Sequence, residues 1–356
     1  MKNEDNSHAQ SPRKRVSIVL PAFNEDAILH DHLLVLCDYL DTLADRFDWE
    51  IVIVNDGSAD NTGQIAEEFA SGRENVRVLH HKRNYGLGQA LKFGMRNTTG
   101  DYIITMDIDL SYSPDHIERL LEKLEETHAK LVLASPYMKG GTISNVPWLR
   151  KFLSVNANRF LSMVAHGKLS TLTCMVRGYD GRFARNLITR STGMDIMPET
   201  IYKTMILRGG IEQIPADLDW SLQLKQAGRT SSMRILRHML STILSGFVFR
   251  PFMFFILPGL LLLAFSGWVN MWMIIHFFDA LQAVPPDIDT DSISWAVARA
   301  YEDYPHTFIV GLLSLMLSVQ LISLGILALQ SKSYFEEIYF LGANRNRDYD
   351  PPDTVD

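Results

Sequence analysis

Between Val16 and Ser135, short apolar runs alternate with amphipathic stretches. Val16-Ser17-Ile18-Val19-Leu20, Glu50-Ile51-Val52-Ile53-Val54, Val76-Arg77-Val78-Leu79, Tyr102-Ile103-Ile104-Thr105-Met106 and Lys130 to Ser135 have the length and β-branched content of buried strands. Helical patterns lie between them: from Asp26 into the Leu40 region, through Ile65 and Phe69, after Gly88, and after Ser113-Pro114. Such alternation predicts an α/β fold, a mostly parallel sheet with helices on both faces. Past Pro147 the pattern turns helical and less regular.

Two runs near the C-terminus have no polar face. Residues 251–278 and 304–331 contain no Asp, Glu, Lys or Arg, and each exceeds the ~20 apolar residues that cross a bilayer. They are expected to be two transmembrane helices, with Pro258 and Gly259 tolerable inside the first. Ahead of them, 231–250 sets Met233, Leu236, Leu240 and Ile243 among Arg234, Arg237 and His238, the pattern of an amphipathic juxtamembrane helix. The connecting segment 279–303 carries Asp279, Asp287, Asp289, Asp291, Glu302 and Asp303 against Arg299. Cations cluster before the first run and after the second, so the positive-inside rule places both termini, the 16–230 domain and the 332–356 tail in the cytoplasm, with the acidic loop outside. Gly311 and Gly325 permit homo-oligomeric association, and Gln320 and Ser323 suit helix–helix hydrogen bonds.

Composition narrows the partners. Thirty-four Lys and Arg stand against 41 Asp and Glu, a net charge of −7, which argues against nucleic acid. Two cysteines, Cys37 and Cys174, build neither a disulfide framework nor a zinc site, and Cys37 reads as inert core. The polar residues 1–15 read as a disordered tail without a secretory signal. The eleven histidines show no metal spacing, and His80-His81 read as surface.

The candidate chemistry sits at the strand ends. The first strand runs into Pro21-Ala22-Phe23-Asn24-Glu25, the second into Asn55-Asp56-Gly57-Ser58, the third towards Asn84-Tyr85-Gly86-Leu87-Gly88, and the fourth into Asp107-Ile108-Asp109. In an open α/β sheet, ligands bind outside the carboxyl ends of the strands. Two neighbouring carboxylates there make a hard oxygen site for Mg²⁺ or Mn²⁺. A solvated turn is the plainer reading of Asp-x-Asp alone, and a helix-start turn that of the glycines. Asp195 and Glu199 lie near an expected helix start, where capping is the plainer reading and an acceptor-site role the alternative.

Together these segments resemble glycosyltransferase family 2 on the GT-A fold. Asn55-Asp56-Gly57-Ser58 and Asp107-Ile108-Asp109-Leu110 carry the resemblance most strongly, and Ser135-Pro136-Tyr137-Met138-Lys139-Gly140-Gly141 is similar to the acceptor loop of dolichol-phosphate mannose synthases. Val319 to Gly325 with Phe335-Glu336-Glu337 looks like the last membrane helix of bacterial polyprenyl-phosphate glycosyltransferases. The resemblance implies a nucleotide-sugar donor (GDP- or UDP-hexose) and a polyprenyl phosphate acceptor. Asp56 would accept from the nucleobase, with Pro21, Asn24 and Glu25 framing base and ribose. Asp107 would hold ribose or metal, Asp109 the metal on the diphosphate, and Arg150 the acceptor phosphate. Gly86 and Gly88 would let backbone approach the donor closely, and Gly57 and Ser58 would also bind it. A lipid phosphate is already ionised, so no general base is required. A hydroxyl lipid acceptor, or nucleotide-sugar binding without catalysis, are the alternatives.

The acceptor half departs from the mannose-synthase pattern. Pro136 stands where those enzymes have Arg, Ser111 where they have Gln, and Ser232 where they have Lys. Arg177, Lys225 and Arg229 are candidates to replace the missing cations.

Overall fold

The computed structural model describes residues 13–146, 155, 169–219, 221, 251–286 and 291–345. The juxtamembrane stretch 231–250, Arg150, Lys225, Arg229 and Ser232 lie outside these residues. The chain divides into two compact units, Met1–Ser245 with Tyr339–Asp356, and Gly246–Ile338.

The first unit is built on a seven-stranded sheet of β1 (Lys14–Ala22), β2 (Phe47–Asn55), β3 (Val76–His80), β4 (Tyr102–Thr105), β5 (Leu131–Ser135), β7 (Arg177–Asp180) and β8 (Ile211–Pro215). Their order across the sheet is β3-β2-β1-β4-β7-β5-β8. β1 pairs in parallel with β2 and β4, β2 with β3, and β5 with β8, whereas β7 runs antiparallel between β4 and β5. The five strands read from the apolar runs are all present. β7 was not legible, because Arg177-Gly178-Tyr179-Asp180 has neither alternation nor an apolar run.

Helices α1 (Leu29–Thr42), α2 (Thr62–Ala70), α3 (Leu87–Arg96) and α4 (Asp115–Thr127) fill the crossovers. α1 faces the core with Leu29, Leu33, Leu36, Cys37 and Leu40, at i, i+4, i+7, i+8 and i+11. These residues pack with Ile18, Leu20, Ile51 and Ile53 of the sheet into one core cluster. Each fully buried Leu or Ile contributes on the order of 2 kcal/mol, which fixes the sheet edge on which the site is mounted. Two short helices, α5 (Gly181–Asn186) and α6 (Ile196–Ile206), follow β7. A second sheet pairs β6 (Thr142–Ser144) in parallel with β9 (Asp217–Asp219).

The second unit holds α7 (Pro251–Gln282), α8 (Ser292–Asp303) and most of α9 (Pro305–Arg345). α7 and α9 each contain a stretch long and apolar enough to cross a membrane, Phe254–Gln282 and Pro305–Ala343, with little of either buried. The connecting segment expected to be a loop contains α8, whose Ala296 and Ala300 pack with Ala280 of α7. Gly259 abuts Ile322, and Gly325 abuts Ile256. Ser266 donates to the Gly311 carbonyl at 3.1 Å and Asn270 to the same carbonyl at 3.2 Å. Gly311 and Gly325 thus admit close contacts within the chain. Ser266 and Asn270 supply interhelical hydrogen bonds among the described residues, whereas Gln320 and Ser323 are exposed.

Candidate active site

Because β3, β2, β1 and β4 are neighbours and parallel, their carboxyl ends share one sheet edge. This edge brings together Pro21 at the end of β1 with Asn24 and Glu25 beyond it, Asp56, Gly57 and Ser58 after β2, the 81–88 loop after β3, and Asp107 and Asp109 after β4.

The Asp107–Asp109 turn is tightly held. Ile108 is buried, and its carbonyl meets Nδ1 of His32 on α1 at 2.8 Å. Leu110 adopts φ 49°, a left-handed conformation uncommon for Leu, and Ser111 N–H donates to Asp109 Oδ1 at 2.9 Å. Asp107 and Asp109 are both partly buried. Desolvation pushes the Asp107 carboxyl up to about 8, reinforced by the charges of Asp109 and Glu25. Glu25 is raised to about 7, again first by burial and then by Asp109 and Asp60. The three carboxyls thus repel one another across the turn. Among the described residues, no group of three or more His, Cys, Asp or Glu side chains is close enough to hold a metal ion by itself.

The β1 and β2 loops are stitched together. Asn24, at φ 57°, donates its N–H to Ser58 Oγ at 3.0 Å and accepts from Ala59 N–H at 2.9 Å, while Glu25 N–H donates to Thr62 Oγ1 at 2.8 Å. Gly57 sits at φ +66° with the Arg83 backbone so near that a Cβ would lie 2.2 Å from its carbonyl carbon. Any other residue there would push the 83–84 backbone away.

Asp56 is 3 % exposed. Its Oδ1 accepts from His81 Nδ1 at 2.6 Å and from Tyr85 N–H at 3.0 Å, and its Oδ2 from Gly86 N–H at 2.8 Å. The carboxylate therefore orders the 81–86 loop directly. Gly86 and Gly88 are required by a neighbour the sequence did not announce. A Cβ on Gly86 would stand 2.6 Å from the Thr192 carbonyl oxygen, and one on Gly88 2.5 Å from that of Ser191. Gly88 N–H donates to Thr192 O at 2.7 Å. Glu199 holds this 190–192 segment by accepting from the N–H groups of Arg190 and Ser191 at 2.8 Å each, with Lys203 at 2.6 Å. Glu199 thus caps backbone, though that of a loop rather than of its own helix.

Two expectations are corrected. His81 is not a surface residue: its ring stacks on Phe93 at 5.0 Å and holds Asp56. His80 pairs with Glu67 and Asn55. Arg177 cannot replace a missing cation at the acceptor side. It is fully buried, and its guanidinium donates to the carbonyls of Leu172, Cys174 and Met197 and to Thr200 Oγ1. It pegs the 172–174 segment to α6. His32, Thr62 and the inward role of His81 are what sequence reasoning missed. His32 reads as one more polar position on an amphipathic helix, and His81 as the end of an exposed strand.

The model of "Glycosyl transferase family 2" matches residues 17–187, which span β1 to α5. A dolichol-phosphate mannosyltransferase of Pyrococcus furiosus is 32% identical over 143 residues, covering 40% of this chain and 39% of that protein. The chain thus spans about two-fifths of that relative's length. Among solved structures, glucosyl-3-phosphoglycerate synthase from Mycobacterium tuberculosis, in complex with Mn²⁺, UDP and glucosyl-3-phosphoglycerate, superposes with a TM-score of 0.48 at 20% identity, covering 65% of this chain and 80% of that one. The mannosyltransferase PcManGT from Pyrobaculum calidifontis, in complex with GDP-Man and Mn²⁺, gives 0.44 at 16% identity, covering 96% and 88%. Residues 17–187 constitute a glycosyl transferase family 2 domain, and the sheet edge described above lies within them.

Proposed function

We propose that this chain is a membrane-anchored, inverting glycosyltransferase that moves a hexose from a nucleoside diphosphate sugar to a polyprenyl phosphate at the cytoplasmic membrane surface. The observation that carries the reading is the repelling carboxyl cluster of Glu25, Asp107 and Asp109 at the carboxyl edge of a family 2 domain. Neighbouring carboxyls that resist ionising beside one another fit a divalent cation, Mg²⁺ or Mn²⁺, with Asp107 and Asp109 as its protein ligands and donor phosphate or water completing the shell. When bound, such an ion neutralises charge on a departing diphosphate.

The chain's own residues supply position. Asp56 and Gly57 hold the loop against which the base would lie, Asn24 and Ser58 lock the β1 and β2 loops, and Gly86 and Gly88 seat the third loop on 191–192. A lipid-phosphate oxygen attacks the anomeric carbon, a new C–O bond forms, and the bond to the diphosphate breaks. The nucleoside diphosphate leaves with the bonding pair, so no proton need be removed from the nucleophile. Arg150, outside the described residues, is assigned to the acceptor phosphate. The match to a dolichol-phosphate mannosyltransferase supports a lipid phosphate acceptor, and the two apolar helices support an anchor. The charges around them support cytoplasmic termini.

The test is a panel of GDP- and UDP-hexoses with undecaprenyl phosphate, read by mass spectrometry of the lipid. Hexosyl-phosphoryl lipid formed only with divalent cation is expected. An Asp109→Ala protein that kept full turnover would refute the role given to Asp109, and no product with any pair would refute the reaction.

A further inference from the structure

We infer that the donor site takes a uridine diphosphate in preference to a guanosine diphosphate, and that His81 sets this preference through Asp56. The inference rests on the proposed donor-site reading, in which Asp56 faces the base.

A carboxylate offers about four acceptor positions, two on each oxygen. Among the described residues, Oδ1 of Asp56 accepts from His81 Nδ1 and Tyr85 N–H, and Oδ2 from Gly86 N–H. That leaves one acceptor position, on Oδ2, and none on Oδ1. Guanine presents its ring N1–H and exocyclic N2–H side by side, and a carboxylate that reads both uses both oxygens. Uracil presents a single N3–H between two carbonyls. One open position matches one N–H. A guanine would leave its second donor facing an oxygen already filled, and an unmade hydrogen bond in a buried site weakens binding.

His81 is placed to enforce this. Its side chain is 13% exposed against 5% for Asp56. Its ring stacks on Phe93 at 5.0 Å and meets the Tyr85 ring edge-on at 5.1 Å. Two aromatic neighbours therefore keep its Nδ1–H on Oδ1, where a loose surface side chain would swing away. The two other donors are backbone N–H groups of a loop seated on glycines, so His81 is the one donor that a substitution can remove. It is a specificity-determining residue acting through Asp56, and it touches no reacting atom.

The experiment is isothermal titration of the purified full chain with UDP and with GDP, in excess Mn²⁺. The wild type should bind UDP at least about tenfold more tightly. His81→Phe keeps the ring packing but removes the N–H, freeing one position on Oδ1. GDP should then gain about tenfold relative to UDP. His81→Asn, which restores an N–H donor, should return the ratio towards the wild-type value, which a purely structural role would not do. Tighter or equal binding of GDP by the wild type overturns the inference. So does an unchanged ratio in a folded His81→Phe protein. Failure of the folded wild type to bind either nucleotide overturns the donor-site reading itself, and the inference with it.

Discussion

Replacing Asp107 by Asn tests the carboxyl cluster through stability, without any assay of sugar transfer. The carboxyl is raised from 3.8 to about 8 by desolvation first and by Asp109 and Glu25 next. A group whose folded-state pKa lies above its unfolded value stabilises the fold at low pH, and that contribution is lost as pH climbs through the folded value. At pH 7 the interval from 3.8 spans about three pH units, or about 4 kcal/mol at 1.36 kcal/mol per unit. Asp107 is partly open to water, whose screening brings this to about 2 kcal/mol. For a domain of this size that is about 4–8 °C in melting temperature. In chelator, the wild type should therefore melt progressively lower from about pH 5 to about pH 8, with Glu25 acting in the same direction. Asp107→Asn should flatten most of that slope. Excess Mn²⁺ should restore the wild type at pH 8 and leave the variant nearly unmoved. Tryptophan fluorescence melts of detergent-solubilised protein measure all four conditions. A wild-type melting temperature that is level or rising over this range in chelator, or an Asn variant that gains as much from Mn²⁺ as the wild type, would refute the reasoning.

Other substitutions probe the frame around the site. Gly88→Ala drives a methyl against the Ser191 carbonyl and should cost about 1–3 kcal/mol together with donor affinity, read by thermal melts and UDP titration. Glu50 is buried at the opposite edge, accepting from Ser17 Oγ, Thr99 N–H and Arg77, and its carboxyl is lowered. Its contribution is present above the unfolded pKa and lost as pH falls through the folded one, so Glu50→Gln should weaken the neutral-pH fold and narrow its difference from wild type in acid melts. His116 is fully buried, takes Asp217 N–H on Nε2 at 3.0 Å and meets the Ser113 carbonyl on Nδ1, so His116→Ala should cost about 1–3 kcal/mol by leaving those groups unmet. Gly311→Leu should separate α7 from α9 at the Asn270 contact, measured as increased cysteine accessibility along that seam in a chain carrying engineered cysteines there.

The sheet and the site edge were largely legible because parallel strands buried on both faces write continuous apolar runs, and because polar residues end each run. Strand ends that carry Asn24, Asp56 and Asp109 converge whenever their strands are parallel neighbours, so the constellation follows from topology. What stayed hidden was made by close approach rather than by composition. Gly86 and Gly88 look like donor-loop glycines in sequence, yet their nearest neighbours are Ser191 and Thr192, about a hundred residues away in the chain. His81 sits beside an exposed His80, and nothing local distinguishes the one that turns inward onto Asp56. Arg177 looks like a free cation because sequence does not show carbonyls, and four acceptors consume it. The α8 helix was hidden by the acidic residues before it and at its end, while its packing uses two alanines.

The antiparallel β7 also bears on how this chain acquires its fold. It bridges β4 and β5, pairing Thr105 with Arg177 and Leu131 with Tyr179, so the sheet cannot become continuous until a segment some seventy residues downstream of β4 has been made. Such non-local pairing slows folding and leaves strand edges exposed meanwhile. A nascent chain stalled before Arg177 would present β4 and β5 as two open edges, a state suited to aggregation and chaperone capture. Arg177, at the start of β7, binds the Leu172 and Cys174 carbonyls and reaches Met197 and Thr200 of α6, so the pairing of β7 is tied to a helix that lies later still in the chain.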